Sequence, residues 1–172
     1  MWLFVLGDLF IFLAYFVIFM IYRRWDPTLF LGSERHLDLA IGAINTLVLL
    51  TSSCLVALGV GAARRAQLQR AARFVQGAIA CGALFLALKA FEWVRLAHDG
   101  YTFTHNNFFM FFFALTGVHA FHILMGFIVL AVVRRELRTD HFREHVVVAG
   151  AVYWHMVDLI WVVLFALLYV MR

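Results

Sequence analysis

Hydrophobic residues along the chain form five long runs, separated by short stretches that are rich in charged and polar residues. An α-helix needs roughly 20 apolar residues to cross the hydrocarbon core of a bilayer, and each run reaches that length. The pattern therefore predicts an all-α polytopic membrane protein, a five-transmembrane-helix bundle that forms a single membrane domain, 1–172. We expect the spans at about 2–22, 37–62, 71–96, 108–133 and 146–171.

Polar residues inside these runs recur on one side of each predicted helix. Asn45 and Ser52 lie seven residues apart in the second run, and His119 and His122 lie three apart in the fourth. These spacings place both members of each pair on one helix face. Because polar side chains are costly in lipid, we expect these faces to turn towards other helices. Phenylalanines such as those of the stretch 108–113 are then expected to face lipid.

The composition agrees with a membrane protein. Of the 172 residues, 65% are hydrophobic and 14% are charged, and the mean hydropathy is +0.92. A soluble domain of this length has no interior large enough to bury so much apolar surface. The net charge of +4 comes mainly from thirteen arginines, with a single lysine. Since these arginines form no long basic run, we expect no nucleic-acid partner.

The arginines also predict the orientation of the chain in the membrane. Cytoplasmic loops of membrane proteins carry more basic residues than loops on the other side. The second and fourth predicted loops hold eight arginines, whereas the first loop and the C-terminus hold four. We therefore expect the N-terminus inside and the C-terminus outside, in a bacterial cytoplasmic (inner) membrane. The eight are Arg64, Arg65, Arg70, Arg73, Arg134, Arg135, Arg138 and Arg143.

Ionisable residues inside the predicted spans are the candidates for function, because an intramembrane charge must be paired, neutralised or turned away from lipid. Lys89 and Glu92 are three residues apart and can neutralise each other. Asp8 is either protonated or paired with another span. The full candidate intramembrane polar network comprises Asp8, Asn45, Lys89, Glu92, His119, His122, His155 and Asp158.

The histidines of the fourth and fifth spans allow three chemical interpretations. His119, His122, His155 and Asp158 lie near mid-span and can meet at one depth. The three interpretations are a haem held between facing helices, a bound metal ion, and a hydrogen-bonded network without a cofactor. The shortage of intramembrane ligands favours the network, with Asp158 held by His119 or His122. We accordingly predict no catalytic, cofactor-binding or metal-binding residue in this chain.

Two motifs near the C-terminus resemble a known family. The segment 153–161, Tyr-Trp-His-Met-Val-Asp-Leu-Ile-Trp, resembles the last-helix signature of cytochrome c oxidase subunit III. The segment 116–126, with its paired histidines, resembles the penultimate helix of that family, and Asp8 stands where the family usually has a buried glutamate. The resemblance implies a non-catalytic accessory subunit with no cofactor of its own. Haem, with copper or iron, is then expected in the catalytic partner.

The number of predicted spans narrows the resemblance. The usual form of the family has seven spans, and the five predicted here correspond to the last five. The chain thus resembles the short forms, especially the NorE-type protein associated with nitric-oxide reductases. The expected partners are membrane lipids and a haem–copper oxidase or nitric-oxide reductase catalytic subunit, which docks on the small-residue stripe of the second span or the tyrosine side of the first. The alternative is a small transporter or proton-conducting protein that uses Asp8, Glu92 and Asp158.

Overall fold

The computed structural model describes residues 2–34, 37–139 and 143–171, and helices account for nearly all of them. Five helices are long and apolar enough to cross a membrane, which confirms the predicted all-α, five-span architecture. Their bounds differ from the predicted spans by only a few residues. The helices are α1 (Trp2–Trp25), α2 (Pro27–Glu34), α3 (Leu39–Arg64), α4 (Leu68–His98), α5 (Asn107–Glu136) and α6 (Glu144–Phe165), and one π-helical turn (Ala166–Val170) follows α6.

The short helix α2 occupies a segment that was expected to be a loop. The Asp26 carboxylate accepts a hydrogen bond from the backbone N–H of Leu29 (3.1 Å), which caps the first turn. Pro27 fits the first helical position because its missing N–H would have no partner inside the helix anyway. Pro27 therefore begins a short helix between the first two spans.

Side-chain caps also fix the starts of α3 and α5. The Asp38 carboxylate accepts from the backbone N–H of Ala40 at 2.9 Å. The Asn106 side chain accepts from the backbone N–H of Phe109 at 2.9 Å and donates its amide to the Ser33 hydroxyl at 3.0 Å. Asn106 thus caps α5 and ties it to the end of α2.

The helix α6 lies at the centre of the bundle and α1 at its edge. α3 packs closely on α4, α5 packs on α6, and α6 also packs on α3. About 61% of the most apolar window of the last span is buried, against 11% for α1. Arg23 fastens α1 by donating to the Glu34 carboxylate (2.8 Å) and to the backbone carbonyl of Met171.

Trp154 on α6 fills the space between three neighbouring helices. A Cβ atom added at Gly126 of α5 would lie 2.7 Å from the Trp154 ring, and one at Gly82 of α4 would lie 3.0 Å from it. The indole N–H donates to the Ser52 hydroxyl (3.0 Å), which donates to the Ala78 carbonyl (3.0 Å). Gly126 is needed because a larger residue would overlap the Trp154 ring, and at Gly82 a Cβ atom would also lie 2.7 Å from the Phe127 ring.

The phenylalanines of the stretch 108–113 do not face lipid as expected. Phe108, Phe109 and Phe112 are completely buried. The ring centroid of Phe108 lies 5.7 Å from that of Phe30 on α2 and 6.4 Å from that of Phe19 on α1. The prediction was wrong because a helix that is apolar on all sides gives no periodic signal for the side that meets protein.

Candidate functional site

A buried group of three polar side chains joins α4 to the turn after α6. The ammonium of Lys89 donates to Glu92 Oε2 (2.7 Å) and to the Tyr169 hydroxyl (2.6 Å). The same hydroxyl donates to Glu92 Oε1 (2.7 Å). The predicted Lys89–Glu92 pair is confirmed. Tyr169 was not predicted to belong to this group. A single tyrosine in an apolar run does not reveal whether its hydroxyl is buried inside the bundle.

Aromatic rings surround the Lys89 ammonium. Its Nζ lies 4.9 Å from the ring centroid of Phe112, 4.8 Å from that of Trp161 and 5.1 Å from that of Tyr169. At these distances the negative faces of aromatic rings attract a cation. The rings and the Glu92 carboxylate together replace part of the hydration that Lys89 loses on burial. The group therefore stabilises the contact between Glu92 and Tyr169, which lie 77 residues apart in the sequence.

A second polar pair joins α1 to α5. His122 Nε2 lies 3.5 Å from Asp8 Oδ2. His122 Nδ1 lies 2.8 Å from the Val118 carbonyl oxygen, and since a carbonyl only accepts, Nδ1 carries a hydrogen. Nε2 is therefore the ring nitrogen left to face the Asp8 carboxyl group, and this contact joins α1 to α5.

The third group faces α3, and here the prediction for Asp158 is wrong. His155 Nδ1 lies 2.7 Å from the Ser53 hydroxyl on α3. Asp158, three residues further along α6, shares that face. The Asp158 carboxyl group also faces the Ser53 hydroxyl, and neither of its oxygens is hydrogen-bonded to His119 or His122. His119 and His122 therefore do not hold Asp158: α6 turns this face to α3, and Asp8 takes His122.

His119 points into the aromatic interior of the bundle. Its ring centroid lies 5.3 Å from that of Trp161 and 5.8 Å from that of Phe85. Neither ring nitrogen of His119 has a hydrogen-bond partner within the described ranges, and the same holds for the buried side-chain amide of Asn45. Such groups are expensive to bury. In place of one continuous network, the eight predicted residues form two pairs, Lys89–Glu92 and Asp8–His122, and a third group in which His155 and Asp158 both face Ser53. His119 and Asn45 are buried without a described partner.

The three groups have donors and acceptors suited to holding helices together and to binding protons. Across 2–34, 37–139 and 143–171, no cluster of three or more His, Cys, Asp or Glu side chains has a geometry that could hold a metal ion. Cys54 and Cys81 are free thiols. The side chains of these groups lie on all five long helices, and they can form ion pairs and hydrogen bonds between them.

Comparison with known proteins gives matches over the whole chain. The family model described as cytochrome c oxidase subunit III matches residues 1–172. The chain is 33% identical to cytochrome c oxidase subunit 3 of Thermostichus vulcanus, over 94% of this chain and 78% of that protein. It is 34% identical to the protein of the same name from Corynebacterium diphtheriae, over 78% of this chain and 67% of that protein.

A longer relative carries two subunits in one polypeptide. The haem–copper oxidase subunit I+III of Aeropyrum pernix is 27% identical over 98% of this chain, and the match covers 22% of that protein. In that protein the part similar to this chain is covalently joined to a subunit I.

Proposed function

We propose, from the fact that this chain belongs to the cytochrome c oxidase subunit III family, that it is a non-catalytic subunit that stabilises the catalytic subunit of a bacterial haem–copper oxidase. The observation that carries the proposal is the family match over residues 1–172. The structure adds a physical reason, since the polar groups inside the bundle mainly join its own helices. Such groups can hold a scaffold together in the membrane without transferring electrons.

The partner in this proposal is a subunit I that carries the haem and the copper or iron. The single-chain subunit I+III relative supports it, because fusion keeps two parts of one complex together. The chain would lie in the cytoplasmic membrane with its N-terminus inside, as the arginine distribution predicts. Membrane lipids would complete the assembly around the exposed apolar helix surfaces.

Of the two docking faces predicted from the sequence, the one on α3 is closed and the one on α1 is partly open. Asn45, Ser52 and Gly59 of α3 are buried, so the small-residue stripe of the second span packs inside this chain. On α1, Tyr22 packs against Phe111 of α5, but Tyr15 is exposed and most of the helix surface is uncovered. We therefore assign the contact with the catalytic subunit to the exposed side of α1, where a neighbouring transmembrane helix can pack without displacing a helix of this bundle.

The test is deletion of the gene, followed by assays of the membranes for oxygen reduction and nitric-oxide reduction. The proposal expects fewer or shorter-lived oxidase complexes, with the initial turnover per haem retained. A fully assembled catalytic subunit without any turnover would contradict the non-catalytic role. A defect confined to nitric-oxide reduction would indicate that the partner is a nitric-oxide reductase. Unchanged yield, activity and lifetime of both enzymes would favour the transporter alternative.

A further inference from the structure

A cavity of about 600 Å³ opens at the end of the bundle where α4 begins and α5 ends. Its polar lining consists of Gln69, Arg73 and Gln76 on α4, and Arg138 and Thr139 just after α5. All five side chains can donate hydrogen bonds, and two carry a permanent positive charge. Among the described residues no Asp or Glu lines this cavity. The lining is thus suited to an anion.

The two cavity arginines have no acidic partner among the residues that the structure describes. In the described part of the chain, neither Arg73 nor Arg138 forms an ion pair with a carboxylate, and both side chains are exposed. By contrast, Arg64 at the same end of the bundle binds Glu144 at 2.9 Å. The charge of the cavity is therefore available to a ligand, whereas part of the surrounding basic surface is already paired.

Two further donors at the cavity have incomplete hydrogen bonding. Arg134 donates from Nη2 to the Gln76 amide oxygen at 3.3 Å, while its Nε is buried with no partner in the described ranges. The N-cap residue of α4, Gln67, forms no side-chain cap, so the first turn of α4 presents its N–H groups and the positive end of the helix dipole. Both features add to the attraction that Arg73 and Arg138 exert on an anion.

We propose that this cavity binds the phosphate of an anionic phospholipid headgroup. Arginine binds phosphate oxygens through paired, charge-assisted hydrogen bonds. Basic pockets between the ends of transmembrane helices lie at the depth of lipid headgroups. One turn deeper, Ala80 follows Gln76 on α4 and Ala131 precedes Arg134 on α5, and both are exposed. Small side chains there leave room for acyl chains, which favours a lipid over free phosphate.

The experiment measures lipid binding to the full-length, delipidated chain in detergent by native mass spectrometry. The probes are dioleoyl phosphatidylglycerol, dioleoyl phosphatidylcholine and inorganic phosphate. The test variant is Arg73→Gln/Arg138→Gln. The matched control is Arg65→Gln/Arg135→Gln, which removes two exposed arginines from the same end of the bundle without touching the cavity lining. Wild-type binding is also followed as ionic strength rises, a measurement that does not depend on whether a variant folds.

We expect phosphatidylglycerol to bind more tightly than phosphatidylcholine, and its binding to weaken as salt rises. The test variant should lose about 30-fold in affinity, the product of two arginine contributions, and the control much less. Equal affinity for both lipids, equal binding by test and control variants, or no response to salt would overturn the headgroup site. Competition by inorganic phosphate as effective as that by the lipid would identify a site for soluble phosphate and overturn the lipid assignment.

Discussion

The Tyr169 hydroxyl donates a hydrogen bond to Glu92 at 2.7 Å and so joins the last turn of the chain to α4. The bond lies inside a buried group in which Lys89 is the only cation. A carboxylate and an ammonium in such a site remain favourable only while each keeps its partners. The contact therefore makes the C-terminal turn part of the bundle and gives the first testable consequence of the structure.

Replacing the tyrosine should destabilise the protein without changing its shape. Tyr169→Phe removes one hydroxyl and leaves Lys89 and Glu92 each short of a hydrogen bond, which we expect to lower the free energy of unfolding by about 1–3 kcal/mol. The measurement is unfolding in mixed micelles, followed by circular dichroism. Tyr15→Phe is the matched control because Tyr15 is exposed on α1. Equal effects of the two changes would show that the Tyr169 hydroxyl contributes nothing.

Removing one member of the Lys89–Glu92 ion pair should destabilise the protein more than removing both charges. Lys89→Met leaves the Glu92 carboxylate buried without its cation, a change that typically costs about 3–5 kcal/mol. The double variant Lys89→Met/Glu92→Gln removes both charges, so it should recover much of that loss. The amount of folded protein in the membrane and its melting temperature report the difference. A double variant less stable than Lys89→Met would contradict the pairing.

His122 should be coupled to Asp8 and independent of Asp158. A double-mutant cycle with Asp8→Asn and His122→Gln should give an interaction energy of about 0.5 kcal/mol or more, as contacting residues do. The matched cycle with Asp158→Asn and His122→Gln should be additive, because Asp158 and His122 form no hydrogen bond in the structure. Unfolding free energies in detergent provide all four corners of each cycle. Coupling between Asp158 and His122, with additive effects for Asp8 and His122, would support the Asp158–His122 contact predicted from the sequence.

Two glycines of one helix should respond oppositely to alanine. Gly126→Ala places a methyl group 2.7 Å from the Trp154 ring and should destabilise the bundle by about 1–3 kcal/mol. Gly117→Ala meets only Trp93 at 3.8 Å, so the gain in helix propensity should dominate there. Thermal unfolding of both variants checks the prediction. Equal stability would mean that α5 and α6 are not as close at Gly126 as the structure places them.

Features that depend on run length or on neighbouring positions in one helix were predictable from the sequence. The five spans follow from apolar runs long enough to cross a bilayer, and the Lys89–Glu92 pair follows from a separation of three residues. The family was also recognisable, because the motif 153–161 is carried by consecutive residues.

Features that depend on how each helix is rotated about its axis were not predictable. Asp158 and His155 lie on one face of α6, as their spacing requires, but the sequence does not reveal that this face meets Ser53 on α3. His119 and His122 differ by about 60° around α5, enough to send one ring into the aromatic core and the other towards α1. The same missing information led to the wrong expectation for the phenylalanines.

The most direct test of the proposed role is the haem content of the chain when it is purified from native membranes through an affinity tag. In mild detergent we expect a complex with one large membrane protein that shows a haem spectrum. When the complex is split, the haem should leave with the large subunit and the chain should remain colourless. A Soret band that stays with the isolated chain and disappears in His119→Ala or His155→Ala would contradict a non-catalytic subunit without a cofactor.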